Sequence, residues 1–304
     1  MKKKTIVILV ILGILVLLGI LGTLGILNSR TGNSELLRLD LPEGTTYQAL
    51  CDSLDASAVF RVAAKTTGLD KRVRPGSYVI EPHMRSLSLV RKLRNGQQDP
   101  IRLTIGKFRT PQQLNEYLNQ KLMHNDFSIT LDSFYIIRPD TYEFYWTVTP
   151  EHFMKRMRRE YDRTGVDKDV IVLASIVEEE TNHNEEKPLI ASVYLNRLKR
   201  GMPLQADPTV KYAVGDFTLR RILNKHLTVE SPFNTYLHTG LPPAPICLPS
   251  KASVDAVLNA PETNYLYFCA SDKMDGTHLF ASTLDEHNRN AQRFHLALNR
   301  LGVK

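Results

Sequence analysis

The sequence predicts an α+β protein in three parts: an N-terminal transmembrane helix, a small α+β module, and a mixed α+β domain built around a helical hairpin. Three observations predict this order. They are a long uncharged run near the N-terminus, short alternating strands mixed with short helices, and a pair of apolar helices in the C-terminal half. The chain has 304 residues, 42% of them hydrophobic, which suffices for two modest domains with proper cores.

The N-terminal run from Thr5 to Leu27 contains only Thr, Gly and apolar side chains, and three lysines precede it. As a helix it would be roughly 34 Å long, enough for a bilayer core of about 30 Å. A cleaved signal peptide is the alternative, but its apolar core would be about 7 to 15 residues long and would end at small residues. The positive-inside rule predicts a single-pass protein of the plasma (inner) membrane, with residues 1–4 in the cytoplasm and everything after Arg30 outside.

Charge and cysteine content narrow the function classes. The net charge is +7, of which the three N-terminal lysines account for 3, leaving about +4 on the exported part. No basic run with interleaved aromatic residues indicates nucleic-acid binding. Cys51, Cys247 and Cys269 cannot all pair within the chain and lack metal-ligand spacing. We expect them to be small buried residues, with a disulfide between Cys247 and Cys269 as the alternative.

Residues 28–36 are predicted to be a short polar linker and residues 37–106 a small α+β module without catalytic character. Its strands are indicated by apolar residues that alternate with polar ones. Its last helix is expected to have Ser86 or Ser88 as its N-cap and to end at Gly96. The predicted elements are strands at 37–41, 77–80 and 101–105 and helices at 47–54 and 59–66, besides the helix that ends at Gly96.

Residues 107–165 are predicted to connect the module to the C-terminal domain. A helix is expected directly after Thr110, because Thr is a good cap and Pro is favoured at the first helical position. Aromatic residues cluster around the Pro-Asp-Thr-Tyr motif at 139–142; they could stack on sugar rings, although a core or a docking surface is the commoner use. A basic helical connector is predicted over 151–161.

The C-terminal domain, residues 166–304, is predicted to be organised by a helical hairpin. The segment Val170–Val177 contains one polar residue, Ser175, so this helix is predicted to be buried on most sides. Three consecutive carboxylates end it. The second helix begins near Asn184 and ends at Gly201, a suitable C-cap.

Helical geometry separates the three carboxylates. At about 100° per residue, Glu178 and Glu180 flank the buried line of the helix on opposite sides, and Glu179 points away from it. A carboxyl beside packed apolar groups is poorly solvated, so its pKa rises and it can hold a proton near neutral pH, as a general acid must. Glu178 and Glu180 are therefore the two candidates, and Glu179 is expected to be solvated. The alternative is that all three face water, because charge runs are usually exposed.

The loops after the hairpin, at 204–209, 231–236 and 239–243, are dense in amides, hydroxyls and aromatic rings. Such groups hold sugars, although turns favour the same residues. A strand pair is expected at 265–269 and 278–280. The histidines lack metal-ligand spacing, and no nucleotide-binding loop or nucleophile elbow is present, so no metal and no cofactor are predicted.

Six short motifs follow one another through the C-terminal half: SIVEEET at 175–181, ASVYLNRL at 191–198, LQADPTV at 204–210, NTY at 234–236, GLPP at 240–243 and YLYF at 265–268. With the Pro-Asp-Thr-Tyr motif and the N-terminal run, their order and spacing resemble the endolytic murein transglycosylases of the MltG (YceG-like) family. Residues 37–106 are similar to that family's LysM-like module. The family usually has Lys between the two key acids, where this chain has Glu179.

The resemblance implies a lytic transglycosylase that cleaves the β-1,4 bond between N-acetylmuramic acid and N-acetylglucosamine in nascent peptidoglycan, leaves 1,6-anhydro ends and terminates glycan elongation. The resemblance ranks Glu178 first, as general acid and then as base on the muramic 6-hydroxyl. Glu180 would orient or tune it. Four further residues would hold the sugar: Gln205, Asp207, Asn234 and Tyr236.

The implied partners are peptidoglycan glycan strands, the membrane and peptidoglycan synthases. Two alternatives stay open. One is a membrane-anchored scaffold that binds peptidoglycan without cleaving it, and the other is a hydrolytic muramidase.

Overall fold

Most helices and strands predicted from periodicity are present in the computed structural model, which describes residues 2–219 and 221–300. The mixed α+β class is confirmed. The chain divides into two units. The first contains residues up to Leu103 with 121–124 and 143–148, and the second contains 104–120, 125–142 and the chain from Thr149 onward.

The N-terminal helix α1 runs from Lys2 to Asn28. Its described apolar side chains are exposed along its length, as Leu15 is at 61%. The side chains at both ends of the predicted span, at 5–6 and 26–27, lie outside the described residues. Among the helices whose side chains are described, none is both long and apolar enough to cross a membrane. The membrane anchor stays a prediction from the sequence.

The first unit packs two antiparallel strands against three short helices. Leu37 lies opposite Ile80 in the strand pair, and Leu41 lies opposite Gly76. The core between strands and helices contains fully buried Leu50 and Tyr78. In chain order the elements are β1 (Leu37–Leu41), α2 (Tyr47–Ser53), α3 (Ala58–Thr67), β2 (Gly76–Ile80) and α4 (Ser86–Asn95).

The start of α4 differs from the prediction. Its N-cap is Arg85, without a side-chain capping bond, so neither serine caps it. Ser86 is buried because its hydroxyl lies 3.0 Å from the hydroxyl of Ser29, and its N–H donates to the Ser29 carbonyl at 2.9 Å. The N–H of Thr31 also donates to the carbonyl of Met84 at 2.8 Å. The predicted linker is thus hydrogen-bonded to the residues at the start of α4. The predicted end at Gly96, with a left-handed φ of 66°, is confirmed.

Two short strands, β3 (Pro100–Ile105) and β4 (Asp140–Tyr145), pair with each other. The second unit is otherwise mainly helical, with one further antiparallel strand pair. Its remaining elements are α5 (Pro111–Lys121), α6 (Leu131–Phe134), α7 (Pro150–Asp162), α8 (Lys168–Glu180), α9 (Lys187–Lys199), α10 (Asp207–Val214), α11 (Asn224–Leu227), α12 (Lys251–Leu258), β5 (Tyr267–Ala270), β6 (His278–Ala281) and α13 (Leu284–Arg300).

The predicted hairpin of α8 and α9 is confirmed and forms the centre of the second core. Every residue from Ile171 to Val177 is buried. The one polar residue in that stretch, Ser175, donates to the Val172 carbonyl at 2.7 Å and accepts the N–H of Ile246 at 3.0 Å. This buried hydroxyl therefore fixes the loop that leads into α12.

Five helices of the second unit were not predicted: α6, α10, α11, α12 and α13. The segment 204–209 was predicted as a loop, but α10 starts at Asp207 with proline in its first turn and ends before Gly215, whose φ is 76°. The cysteines are free: Cys51 and Cys247 are buried as predicted, and Cys269 is half-buried. The alternative of a disulfide between Cys247 and Cys269 is therefore wrong.

Candidate active site

The last turn of α8 carries its three carboxylates into three different environments. A helix C-terminus is the negative end of the helix dipole, so each negative charge there needs a partner or a proton. The neighbouring elements are α9, α10, α12 and the segment that precedes α5.

Glu178 lies against the N-terminus of α12. Its Oε2 accepts hydrogen bonds from the hydroxyls of Ser250 and Ser253, from the N–H of Ser250 at 3.3 Å, and from the ammonium of Lys187 at 3.1 Å. Lys187 is only 5% exposed and Glu178 only 14%. Burial by itself would raise the pKa of Glu178, but these donors and the charge of Lys187 outweigh it and hold the pKa below its ordinary value. The expectation of a raised pKa at Glu178 is wrong.

Glu179 is not solvated, contrary to the prediction. Its side chain is 14% exposed and forms ion pairs with Lys107 at 2.9 Å and Arg109 at 3.0 Å. Burial would raise the pKa of this carboxyl as well, yet the two cations lower it below the ordinary value. Glu179 is therefore a paired, ionised side chain.

Glu180 lies deep among neighbouring atoms while part of its surface stays accessible. The hydroxyl of Tyr194, a fully buried residue of α9, donates a hydrogen bond to its Oε1. Burial raises the pKa of Glu180 from 4.5 to about 7, and the nearby charge of Asp207 adds to the rise. The Tyr194 hydrogen bond and the charge of Lys211 act in the opposite direction. Glu180 is thus the carboxyl that can hold and release a proton near neutral pH.

Three of the predicted sugar-binding residues reach solvent, and two of them, Asp207 and Tyr236, lie within electrostatic range of Glu180. Asp207 is exposed at the start of α10, and the hydroxyl of Tyr236 donates to its Oδ1 at 2.8 Å. Gln205 is exposed two residues before Asp207 and has a positive φ of 52°. The backbone N–H of Gln205 donates to the Thr235 carbonyl at 3.1 Å, which joins the two loops. Asp207, Tyr236 and Gln205 therefore form a polar rim that is open to solvent.

Asn234 has a different place. It is fully buried, and its amide donates to the carbonyls of Leu227 and Val229, each at 2.9 Å. Its Oδ1 accepts the N–H of Tyr236 at 3.0 Å. Asn234 therefore shapes the loop that presents Tyr236, and its side chain has no donor left for a sugar.

Arg197 was not singled out from the sequence, although it stands inside one of the motifs. It is 8% exposed, and its guanidinium donates to the carbonyls of Leu266 at 2.6 Å and Leu204 at 2.8 Å and to the Gln205 side chain at 3.3 Å. It therefore fixes the loop that carries Gln205 and Asp207. The signal that could have indicated Arg197 in the sequence was its position: a charged residue at the end of a buried helix, seven residues before Leu204.

No cluster of three or more His, Cys, Asp or Glu side chains suited to a metal ion occurs within residues 2–219 and 221–300. The described arrangement offers one carboxyl with a pKa near neutrality, a buried tyrosine donor and a polar rim. These groups can transfer a proton to and from a bound polar substrate.

Comparison with known proteins places this site in a family. The model of the YceG-like family matches residues 39–293, which include every residue of the site. The chain belongs to the YceG-like family. The structure agrees with this assignment, because it aligns with a crystal structure of a YceG-like protein from Listeria monocytogenes at a TM-score of 0.51 and 27% sequence identity, over 84% of this chain and 99% of that one.

Curated relatives of this YceG-like chain carry the name endolytic murein transglycosylase. The protein of Bacillus subtilis (strain 168) is 45% identical over 125 residues, which are 41% of this chain and 34% of the relative. The protein of Streptococcus pneumoniae serotype 2 is 34% identical over 126 residues, or 40% of this chain and 23% of the relative. The matched part of the chain thus spans about a third of the first relative's length and about a quarter of the second's.

Proposed function

We propose that this YceG-like chain is a lytic transglycosylase of peptidoglycan and that Glu180 is its general acid and base. The observation that carries the proposal is the environment of Glu180. Burial raises its pKa to about 7, so it can hold and release a proton near neutral pH. The name of the relatives, endolytic murein transglycosylase, supports murein as the substrate.

In the proposed reaction, protonated Glu180 donates its proton to the glycosidic oxygen as the bond from that oxygen to C1 of N-acetylmuramic acid breaks. The 6-hydroxyl oxygen of the same sugar then attacks C1, and its proton returns to the Glu180 carboxylate. The product is a 1,6-anhydro ring, no water is consumed, and the acid is regenerated. Asp207, Tyr236 and Gln205 would hold the sugar and support its positive charge.

This proposal moves the acid from Glu178 to Glu180. An acid must be protonated before the reaction, and Glu178 accepts hydrogen bonds from two serines and an ammonium, each of which favours the ionised form. Among the described residues, Glu180 accepts a hydrogen bond from Tyr194 alone and has the carboxylate of Asp207 nearby instead of a hydrogen-bonded cation. We therefore assign Glu178 the task of joining α8 and α9 to the N-terminus of α12.

Product analysis tests the reaction. The full-length chain in detergent is incubated with purified peptidoglycan, and the ends of the fragments are identified by mass spectrometry. We expect 1,6-anhydro-muramic ends. New reducing ends would favour the hydrolytic muramidase, and unchanged glycan with retained binding would favour the non-catalytic scaffold.

We further propose that α1 anchors the chain in the plasma membrane, with the second unit on the outer side. The uncharged run after the N-terminal lysines supports this, and the order strand, helix, helix, strand in 37–80 supports the predicted LysM-like module. Fractionation of cells that express the full chain should recover it with membranes after a carbonate wash, and protease added to spheroplasts should digest it. Release by carbonate or protection from protease would contradict the anchor or its orientation.

The role in ending glycan elongation and the partnership with peptidoglycan synthases follow from the family resemblance. In cells, depletion of the chain should lengthen glycan strands, and chemical crosslinking should recover a synthase with it. Unchanged strand length would contradict the proposed role in termination.

A further inference from the structure

Two residues of the segment between β3 and α5 bind the end of the helix that carries the proposed acid. The ammonium of Lys107 lies 2.9 Å from Oε1 of Glu179, and the guanidinium of Arg109 lies 3.0 Å from its Oε2. Each carboxylate oxygen of Glu179 thus has its own cation. Glu179 directly precedes Glu180, so its position determines how the last residue of α8 is turned.

The segment that supplies these cations is itself fixed. The carbonyl of Phe108 accepts the N–H of Leu248 at 2.8 Å, and the N–H of Arg109 donates to the side chain of Gln113 at 3.0 Å. Lys107 also reaches the carbonyl of Glu178 at 3.4 Å. Both cations therefore project from backbone that is held on two sides, and a shift of α8 would break the contacts with them.

Arg109 makes a second contact that leads to the opposite side of the site. Its guanidinium lies over the ring of Phe217, 5.4 Å from the centroid. Phe217 packs edge-on against Tyr212 of α10 at 6.1 Å between ring centroids. Because α10 begins at Asp207, Arg109 connects the end of α8 with the helix that carries Asp207.

Exposure decides what these ion pairs do. Lys107 is 34% exposed and Arg109 is 38% exposed, and ion pairs that are this accessible contribute little to overall stability. At the negative end of a helix, however, three adjacent carboxylates repel one another, and the two cations neutralise the middle one. Their main consequence is therefore geometric.

We propose that Lys107 and Arg109 are positioning residues for the reaction: by holding Glu179, they fix the last turn of α8 so that Glu180 faces Tyr194 and Asp207. The proposal rests on the function proposed above. It also explains how the last turn of α8 accommodates a third carboxylate, since Lys107 and Arg109 supply the countercharge of Glu179.

Charge inversion tests the proposal in the full-length chain. Glu179→Lys places a third cation opposite Lys107 and Arg109, and Lys107→Glu places an anion opposite Glu179. Each single variant should lower kcat about tenfold or more with KM nearly unchanged, because binding residues are untouched. The double variant Lys107→Glu/Glu179→Lys restores an ion pair and should recover kcat to within about threefold of the original chain. Lys225→Glu on exposed α11 is the matched control and should change neither constant.

A Glu179→Lys variant with unchanged kcat would overturn the proposal, and so would a double variant no more active than the weaker single one. Arg109→Gln, a milder change, replaces any variant that fails a thermal-unfolding check. If the original chain releases no anhydro ends, the proposed function fails separately. Crystal structures then decide the positioning: loss of the Tyr194–Glu180 hydrogen bond in Glu179→Lys supports it, and an unchanged hydrogen bond overturns it.

Discussion

Glu178 and Glu180 are two residues apart on the same helix, yet their surroundings have opposite effects. The region around Glu178 contributes two serine hydroxyls, a backbone N–H and a buried ammonium, and lowers its pKa. The region around Glu180 contributes apolar packing, one tyrosine hydroxyl and a nearby carboxylate, and raises its pKa to about 7. Burial raises the pKa of both carboxyls, and at Glu180, the more deeply buried of the two, it is the largest cause of the rise. At Glu178 the serine donors and the charge of Lys187 reverse the effect of burial, so only Glu180 can act as an acid near neutral pH.

The largest expected difference between the two regions is catalytic. Glu180→Gln keeps the shape of the side chain but removes its titration, so kcat should fall about 1,000-fold or more, while thermal unfolding remains cooperative. The release of anhydro ends is the measurement. Glu185→Gln, an exposed glutamate between α8 and α9, is the matched control and should retain full activity. Activity in Glu180→Gln near that of the original chain would remove Glu180 from the mechanism.

The same substitution at Glu178 should mainly affect stability. Glu178→Gln leaves the buried ammonium of Lys187 without its countercharge, and the free energy of unfolding should fall by about 3 kcal/mol. Urea denaturation at pH 7 measures it. A variant of unchanged stability that releases no anhydro ends would instead make Glu178 the acid and reverse the comparison.

The pH dependence of stability should have opposite signs for the two acids. The raised pKa of Glu180 means that the folded state binds its proton more tightly than the unfolded state, so this group costs stability as pH rises from about 4.5 through 7. At pH 8, Glu180→Gln should therefore be more stable than the original chain by about 3 kcal/mol, and at pH 4 the difference should vanish. Denaturation curves at the two pH values are the test, and a variant less stable at pH 8 would contradict the raised pKa.

The lowered pKa of Glu178 works in the other direction. Its stabilising contribution is present above the unfolded pKa near 4.5 and is lost as pH falls through the lower folded value. The original chain should therefore lose stability below about pH 4.5 more steeply than Glu178→Gln does. Parallel acid-denaturation curves for the two proteins would show that Glu178 is not held in its ionised form.

The smallest expected effect concerns the partners of Glu180. Tyr194→Phe keeps the ring that packs edge-on against Phe268 but removes the hydrogen bond that lowers the pKa of Glu180. The alkaline limb of the kcat/KM profile should move upward by about one pH unit. Asp207→Asn removes a charge that raises this pKa, so it should move the same limb downward. If the alkaline limb moved in the same direction in the two variants, these two residues would not act through Glu180.

Local sequence signals predicted much of the scaffold but not the division of work among the acids. The buried run before Glu178 and the helical period predicted α8 and put Glu178 and Glu180 on opposite sides. The donors that hold Glu178 are Ser250 and Ser253, which lie 72 and 75 residues further along the chain. Arg109, one of the two cations that pair with Glu179, lies 70 residues before it. Helical period carries no information about such distant partners.

Asn234 illustrates the same limit on a smaller scale. A sequence rich in amides and hydroxyls predicts a polar loop, but it does not tell which side chain faces the substrate and which one closes the loop. Asn234 is buried because its amide satisfies two carbonyls of its own loop, whereas Tyr236, two residues later, reaches the rim.

Residue-specific titration tests the central claim most directly. In the intact protein labelled with ¹³C at the glutamate side-chain carboxyls, Glu180→Gln and Glu178→Gln assign the two signals, and the chemical shifts are followed from pH 3 to pH 9. We predict that Glu180 titrates near pH 7 and Glu178 below pH 4.5. A Glu180 signal that titrates below pH 5, with Glu178 the carboxyl of higher pKa, would contradict the account.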